Sequence, residues 1–414
     1  MFDRQPWFVE QLPGRSESDL DRILTGLPLQ TARVLSRALA GSDLSADDLM
    51  SLFALEGTEA EALFAVAHFQ RIQGAGFIST YVVNRNINFT NICYNHCRFC
   101  AYSRSRFSPD AFSLSLDEIL RQAEEAYRLG ATEVCIQAGL SPDLDASFYP
   151  RLCRMIRESL PDIHIHGCSP QEVMYWSREA GRSMRDYLIE LKDSGLNSLP
   201  GTSAEILDDD IRAMISPRRI TTREWMDVVK TAHSLGLRTS ATIMYGHVEN
   251  PRERSLHLLR LRDLQRTSGG FTEFVPLSLV SDSNGGRGRR LRLKRSIGNS
   301  DVFKMHAIAR LALGKEVPNI QVSWVKEGVE TAKACLRAGA NDLGGTLMNE
   351  SISSSAGAKN GELMRPCELR AAIRAAGFVP AQRDTLYRLI RRFDNPADDP
   401  IDPLDRSEPA GLAH

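Results

Sequence analysis

Three cysteines close together are the residues of this chain best placed to do chemistry. They stand in Cys93-Tyr94-Asn95-His96-Cys97-Arg98-Phe99-Cys100. Spacings of four and three residues let one loop wrap three thiolates around a corner of an iron–sulfur cluster, and thiolates are the usual ligands of a 4Fe-4S centre. Three ligands for four irons leave one iron open. S-adenosylmethionine (SAM) can chelate an open iron through its amino and carboxylate groups. Electron transfer then cleaves the sulfonium and releases a 5'-deoxyadenosyl radical. The competing reading is a zinc knuckle with His96 as fourth ligand. It asks adjacent residues, His96 and Cys97, to reach one tetrahedral ion, which is awkward. The remaining cysteines, Cys135, Cys153, Cys168, Cys335 and Cys367, are scattered and read as small core residues. Cys168 is set apart because it falls near the end of a strand.

The elements that must carry this loop follow a repeating order. The first 75 or so residues read as helical, with capping-box pairs at Ser45 and Asp48 and at Thr58 and Glu61. From about residue 80, strands alternate with amphipathic helices. The strands are expected near 81–90, 132–137, 162–167, 196–199, 237–245, 271–277, 319–324 and 341–345. Helices are expected at 116–129, 203–214, 222–235, 251–267, 301–313 and 327–337, the first opened by a capping box at Ser115 and Glu118. Eight βα units in this span fit a (β/α)8 TIM-type barrel, with an open parallel sheet as the runner-up. The expected division is a helical extension over 1–78, the barrel over 79–350, and a helical extension with a tail over 351–414.

A barrel places chemistry at the C-terminal ends of its strands. The unusual residues fall there. Strand one leads into the cysteines and strand two into Gln137-Ala138-Gly139. Strand three ends in His166, Gly167 and Cys168, and strand four leads to Thr202 and Glu205. Strand five ends in Tyr245-Gly246-His247, with Glu249 beyond. Strand seven ends in Ser323-Trp324 before Lys326, and strand eight is followed by Asn349 and Glu350. Period-two alternation puts His164 and His166 on one face of strand three and Asn319, Gln321 and Ser323 on one face of strand seven. Polar inner faces predict a substrate cavity reaching into the barrel.

The stretch INFTNICYNHCRFCAYSR, with Phe99 before the last cysteine, resembles the radical SAM group that includes deazaflavin synthase and the menaquinone-pathway aminofutalosine enzymes. The segments EVCIQAGLSPDL, IHIHGCSP, SLPGTSAEILDDDIRAMISP, TIMYGHVE, GGFTEFVPL, NIQVSWVK and NDLGGTLMNESIS are similar to one subfamily, the tyrosine-using subunit of deazaflavin synthase. The resemblance spans roughly residues 75–390. It implies a radical SAM barrel that holds a 4Fe-4S cluster and SAM. It implies that L-tyrosine is broken at Cα–Cβ and that its 4-hydroxybenzyl part is joined to C5 of 5-amino-6-(D-ribitylamino)uracil. A second radical SAM subunit would then close the deazaflavin ring of a coenzyme F-420 precursor, and an electron donor is required. On this resemblance Cys93, Cys97 and Cys100 hold the cluster. Phe99, Gln137, Gly139 and Glu249 are candidates for meeting SAM. Glu205, His166 and Tyr245 are the catalytic candidates, with Glu350 as a further substrate contact. The alternative is an aminofutalosine-type reaction or a modified, anionic substrate.

One segment departs from the family pattern. Arg287, Arg289, Arg290, Arg292, Lys294 and Arg295 follow strand six in SDSNGGRGRRLRLKRSIGNSD. They read either as a solvated loop or as an anion clamp. The whole chain has 51 Lys plus Arg against 52 Asp plus Glu, which argues against a nucleic-acid-binding protein. No apolar run approaches the ~20 residues of a membrane span. No basic start with an apolar stretch opens the chain, so a cytoplasmic protein is expected.

Overall fold

A bent strand starts the barrel. β1 (Ile78–Val82) and β2 (Asn84–Ile87) run on from one another with only Val83 between them. In this computed structural model, which describes residues 17–280 and 297–407, the two halves face different neighbours. β2 pairs in parallel with β3 (Glu133–Ile136), and β3 with β4 (His164–Gly167), in the register Asn84–Glu133–His164. β5 (Ser198–Leu199), β6 (Arg238–Tyr245) and β7 (Phe271–Ser278) follow in order, all parallel. β1 pairs in parallel with β8 (Asp342–Gly345). Between β7 and β8 the expected strand 319–324 is reduced to parallel bridges, Phe274 with Ile320 and Gln321 with Asp342. Side-chain amides take over part of its ladder there. Asn341 Oδ1 accepts from the Ile320 N–H (2.9 Å), and Asn319 Nδ2 donates to the Thr272 carbonyl (2.9 Å). These bridges close the ring of eight, so the barrel is borne out over the open sheet.

Alternation along the strands sorts the side chains. Val134, Ile136, Ile165, Ala241 and Ile243 are fully buried under the helices. Cys135, His166, Ser240, Thr242 and Gln321 turn inward and line a cavity of about 280 Å³. The polar inner face therefore encloses space, as the period-two pattern predicts.

Helices cover the ring. Capping boxes start the ones at Leu116–Arg128 and Ala46–Phe53, through Ser115 with Glu118 and Ser45 with Asp48. The Thr58–Glu61 box is absent: the helix begins at Gly57, with Glu56 before it, so Thr58 already lies in the first turn. The helix expected over 203–214 starts only at Asp209, where the Asp208 side chain accepts from the Ile211 N–H. Ser203 and Glu205 ahead of it have φ of 68° and 41°, which a helix cannot include. The N-terminal helices lie against the helices Pro251–Ser268 and Asn299–Leu313. Buried Lys304 ties them down by donating to the carbonyls of Phe53 (3.3 Å) and Leu55 (2.9 Å). No helix among the described residues is long and apolar enough to cross a membrane. The basic run Arg287 to Arg295 lies outside the described residues.

The C-terminal segment is not wholly helical. After the helix Pro366–Ala375, β9 (Val379–Arg383) joins β1 in parallel, and β10 (Leu389–Arg392) turns back along it. β9 lies beside the first half of the bent strand, so this hairpin sits at the barrel's N-terminal end, which it floors. Arg383 makes a bidentate pair with Asp342 (2.6 and 3.0 Å), and Tyr387 donates to Glu273 (2.5 Å). Both members of the Arg383–Asp342 pair are buried. Asp342→Ala leaves the guanidinium without its main partner, a loss worth about 3–5 kcal/mol. Guanidinium chloride unfolding should show an unfolding free energy lower by that amount; a loss under about 1 kcal/mol would mean that the floor does not depend on the pair.

Candidate active site at the barrel mouth

The cysteine loop is pinned by backbone bonds from three neighbouring segments. Cys93 N–H donates to the Arg104 carbonyl (3.1 Å), Tyr94 N–H to Leu140 (3.1 Å) and Arg98 N–H to Ile215 (2.9 Å). His96 turns the chain at φ 47°. Gly139 allows the closest of these approaches, because a Cβ there would lie 2.2 Å from the Ile92 carbonyl oxygen and 3.1 Å from Cys93 Cβ. Cys97 is buried, and Cys93 and Cys100 are half-buried. Burial pushes the Cys97 thiol up to about 11, while a nearby guanidinium pulls the other way. That guanidinium is Arg219, whose Nε stands 3.1 Å from Cys97 Sγ. Arg219 also forms an ion pair with Glu205 and sits 5.3 Å from the centroid of the Phe99 ring. Arg218 beside it donates to the Tyr94 carbonyl (3.1 Å). Among the described residues, no three His, Cys, Asp or Glu side chains converge on a single-ion site. His96 is exposed rather than gathered with the thiols.

The structure divides the other candidates. Gln137 and His166 line the cavity with Thr202, which donates to Gln137 Oε1 (3.3 Å). His166 Nδ1 and His164 Nε2 share the Ser198 hydroxyl, at 2.6 and 2.7 Å. Burial lowers the pKa of both rings and keeps them neutral, against the pull of Glu133. Glu205 reaches the site through Arg219 rather than by lining the cavity.

Tyr245 and Glu249 do not meet the cavity. β6 turns Ser240 and Thr242 inward, so Tyr245, like Ala241 and Ile243, points out into the helical layer, where Arg254 lies 5.3 Å from its ring centroid. Glu249 is consumed locally. Its carboxylate accepts from the backbone N–H groups of Gly246 and His247 and pairs with Arg254 (2.6 Å). Burial alone would raise its pKa, but these partners hold it below the usual range. Cys168 is fully buried at φ 59°, and its N–H donates to Tyr149 (2.7 Å), so it packs rather than faces the mouth. The sequence reading missed Arg219. Its signal was the Arg-Arg pair directly after Ser216-Pro217, one step past a segment already singled out.

Residues 87–260 match the radical SAM superfamily, and residues 268–395 match the CofH/MqnC C-terminal region. A 5-amino-6-(D-ribitylamino)uracil–L-tyrosine 4-hydroxyphenyl transferase from Methanopyrus kandleri is 45% identical over 364 residues, covering 85% of this chain and 98% of that one. The chain belongs to this radical SAM transferase family. An FO synthase from Mycobacterium leprae is 44% identical over 347 residues, covering 83% of this chain but only 40% of that protein. The solved structure of the FeFe-hydrogenase maturase HydG from Carboxydothermus hydrogenoformans shares the fold, with a TM-score of 0.69 over 92% of this chain and 86% of that one at 15% identity. The family's C-terminal region runs through β10, so the floor hairpin lies within the family match. Membership in the superfamily implies a 4Fe-4S cluster and SAM.

The close approach at Gly139 can be tested. In Gly139→Ala the new methyl meets backbone, not a flexible side-chain end, so the cysteine loop must shift at a cost of about 1–3 kcal/mol. The variant should keep its far-ultraviolet circular dichroism and retain clearly less iron than wild type after anaerobic reconstitution. Equal iron content would show that the loop does not need this contact.

Proposed function

We propose that this enzyme joins the 4-hydroxybenzyl part of L-tyrosine to 5-amino-6-(D-ribitylamino)uracil. The observation that carries the reading is the lumen, in which polar side chains stand among apolar wall residues. It begins at Gln137 and Thr202, with Gly139 just past Gln137 packed against Cys93, and continues down to Arg383 and Glu273 at the floor. The relatives that bear this activity in their name match along nearly their whole length.

The thiols of Cys93, Cys97 and Cys100 suit a 4Fe-4S cluster. They lie on one short loop, they do not form a single-ion site, and a guanidinium faces the buried one. Held there and reduced from outside, such a cluster supplies the electron that cleaves SAM to methionine and a 5'-deoxyadenosyl radical. Arg219 offsets the negative charge gathered on the thiolates. Glu205 holds Arg219 in place, which makes it a positioning residue.

Gln137 presents its side-chain amide to the lumen, where it can orient a polar ligand near the thiols. The barrel wall keeps bulk water from a reactive organic radical. His166, neutral and held by Ser198, offers a proton acceptor partway down the lumen. Asn86, Asn88, Ser240 and Thr242 line the wall around it with the donors and acceptors that a pyrimidine and a ribityl chain require. The FO synthase relative is more than twice as long as its match to this chain, which supports a second radical SAM module acting on the product.

Anaerobic turnover with SAM, reductant and tyrosine should yield 5'-deoxyadenosine and methionine. Adding the diaminouracil should produce a 4-hydroxybenzyl adduct by mass spectrometry. Cys93→Ala, Cys97→Ala and Cys100→Ala should each abolish SAM cleavage, while Cys153→Ala and Cys335→Ala should not. Failure of tyrosine to stimulate SAM cleavage in wild type would overturn the transferase reading.

A further inference from the structure

Lys326 and Glu350 carry charges that no ion pair among the described residues neutralises. Lys326 follows the last of the bridged strand segments and lines the lumen at its mouth, half-buried. Among the described residues its ammonium has no hydrogen-bond or ion-pair partner. Glu350, buried and on the same cavity wall, caps the short helix Ser351–Ser355, with the Ser353 N–H 3.1 and 3.0 Å from its two carboxylate oxygens, and has no ion-pair partner among the described residues. Each is the strongest charged neighbour of the other, yet they do not form an ion pair. Burial lowers the lysine pKa and raises the glutamate pKa, so each group is held in an unfavourable setting for its charge. The other acids near Lys326 are Glu327, which is held by Ser278, and Glu205, which is engaged by Arg219.

A cation and a carboxylate left without ion-pair partners in a partly desolvated cavity are costly unless something completes them. A side chain needed only for packing would be apolar here. The complement of this pair is a small zwitterion, with a carboxylate for the lysine and an ammonium for the glutamate. We infer that Lys326 and Glu350 form the subsite that grips the α-carboxylate and α-ammonium of the amino-acid substrate. The inference rests on the proposed use of tyrosine and adds where and how that substrate is held. It places the reacting amino group at the mouth, on the side of the cysteine loop. It leaves the aromatic ring to run inward along Val82, Val275 and Leu277, the apolar part of the lumen wall.

The test is binding to anaerobically reconstituted, SAM-loaded protein, measured by isothermal titration calorimetry. The probes are L-tyrosine, tyramine, which lacks the carboxylate, and 3-(4-hydroxyphenyl)propionate, which lacks the ammonium. Lys326→Met should weaken tyrosine about 10–100-fold and leave tyramine unchanged, as expected for loss of a charge-assisted hydrogen bond. Glu350→Gln should weaken tyrosine and leave 3-(4-hydroxyphenyl)propionate unchanged. Lys326→Met should also melt no lower than wild type without ligand, since it removes an unpartnered charge. Unchanged tyrosine binding in both variants overturns the subsite. So does an equal loss of all three probes with a lower Tm, which marks a structural role. If wild type itself binds no tyrosine, the proposed function falls, and the subsite with it.

Discussion

A barrel with a polar inner face persists only if its inward donors and acceptors find partners away from bulk water. This constraint governs most of what surrounds the lumen. At the level of the first strand, Asn84 answers it alone for several groups. Its side-chain nitrogen donates to Glu133 (2.9 Å), its side-chain oxygen accepts from the Leu347 N–H (3.0 Å), and its backbone N–H donates to the Thr346 hydroxyl (2.9 Å). Gly345 makes room for it, since a Cβ there would stand 2.1 Å from the Asn84 side-chain oxygen. Ser198 satisfies two histidines at once. At the floor, the hairpin brings a guanidinium and a phenol to carboxylates that would otherwise face each other. Burial pushes the Glu273 carboxyl up to about 7, and Arg383 pulls it back. The extra strand outside the eight is therefore part of the solution to the polar interior.

The mouth answers to a different constraint. Loops from separate strands must converge on one short cysteine segment, and the backbone bends sharply to allow it. Among the described residues, eight non-glycine residues have positive φ. His96, Cys168, Ser203, Glu205, Leu347, Met348 and Asn349 all follow strand ends, and only Tyr387 lies at the floor. Such conformations cost of order 1–3 kcal/mol each and persist where surrounding contacts fix them. Glu205 shows how the strain is held: its carbonyl accepts from the Met244 N–H (2.7 Å) while its side chain engages Arg219. The bent backbone is what lets a residue after β5 hold the arginine that faces Cys97.

Much of this was legible in the sequence because it repeats. Period two marked the strands and their inner faces, and the spacing of the cysteines marked one loop. The seventh strand was placed correctly but not its weakness, since side-chain amides substituting for ladder bonds leave no periodic trace. Tyr245 lies away from the lumen, and the sequence held a signal for that. Ser240 and Thr242 fix the inner face of β6, and odd-numbered Tyr245 must then point outward. Glu249 was drawn to SAM by its position after a strand, but Arg254 one helical turn on and His247 beside it were already its partners. Arg219 was missed for a different reason, since the Arg-Arg pair was visible but its partner was not. Its meeting with Cys97, 122 residues away, is made by tertiary approach alone, and an arginine after a helix reads as surface. The floor hairpin hid likewise, because VPAQR carries a proline and two long polar residues where a strand pattern would be apolar.

Satisfaction falls along the lumen from floor to mouth, and that gradient argues for where a ligand sits. Arg383 is bonded at all three nitrogens, to Asp342 through two and to the Asp384 carbonyl through the third. Midway, His166 and Ser198 satisfy each other. Near the mouth, Gln137 has a long contact to Thr202 and a weak one to the Cys135 sulfur (3.4 Å). Lys326 has no side-chain partner among the described residues. A fold under pressure only to be stable would show the reverse, since buried charge is least costly where it is best paired. Unused hydrogen-bonding capacity on the lumen wall near the mouth suits a site for polar ligands. The saturated floor in turn gives that site a rigid base, so that binding at the mouth does not have to order the barrel as well.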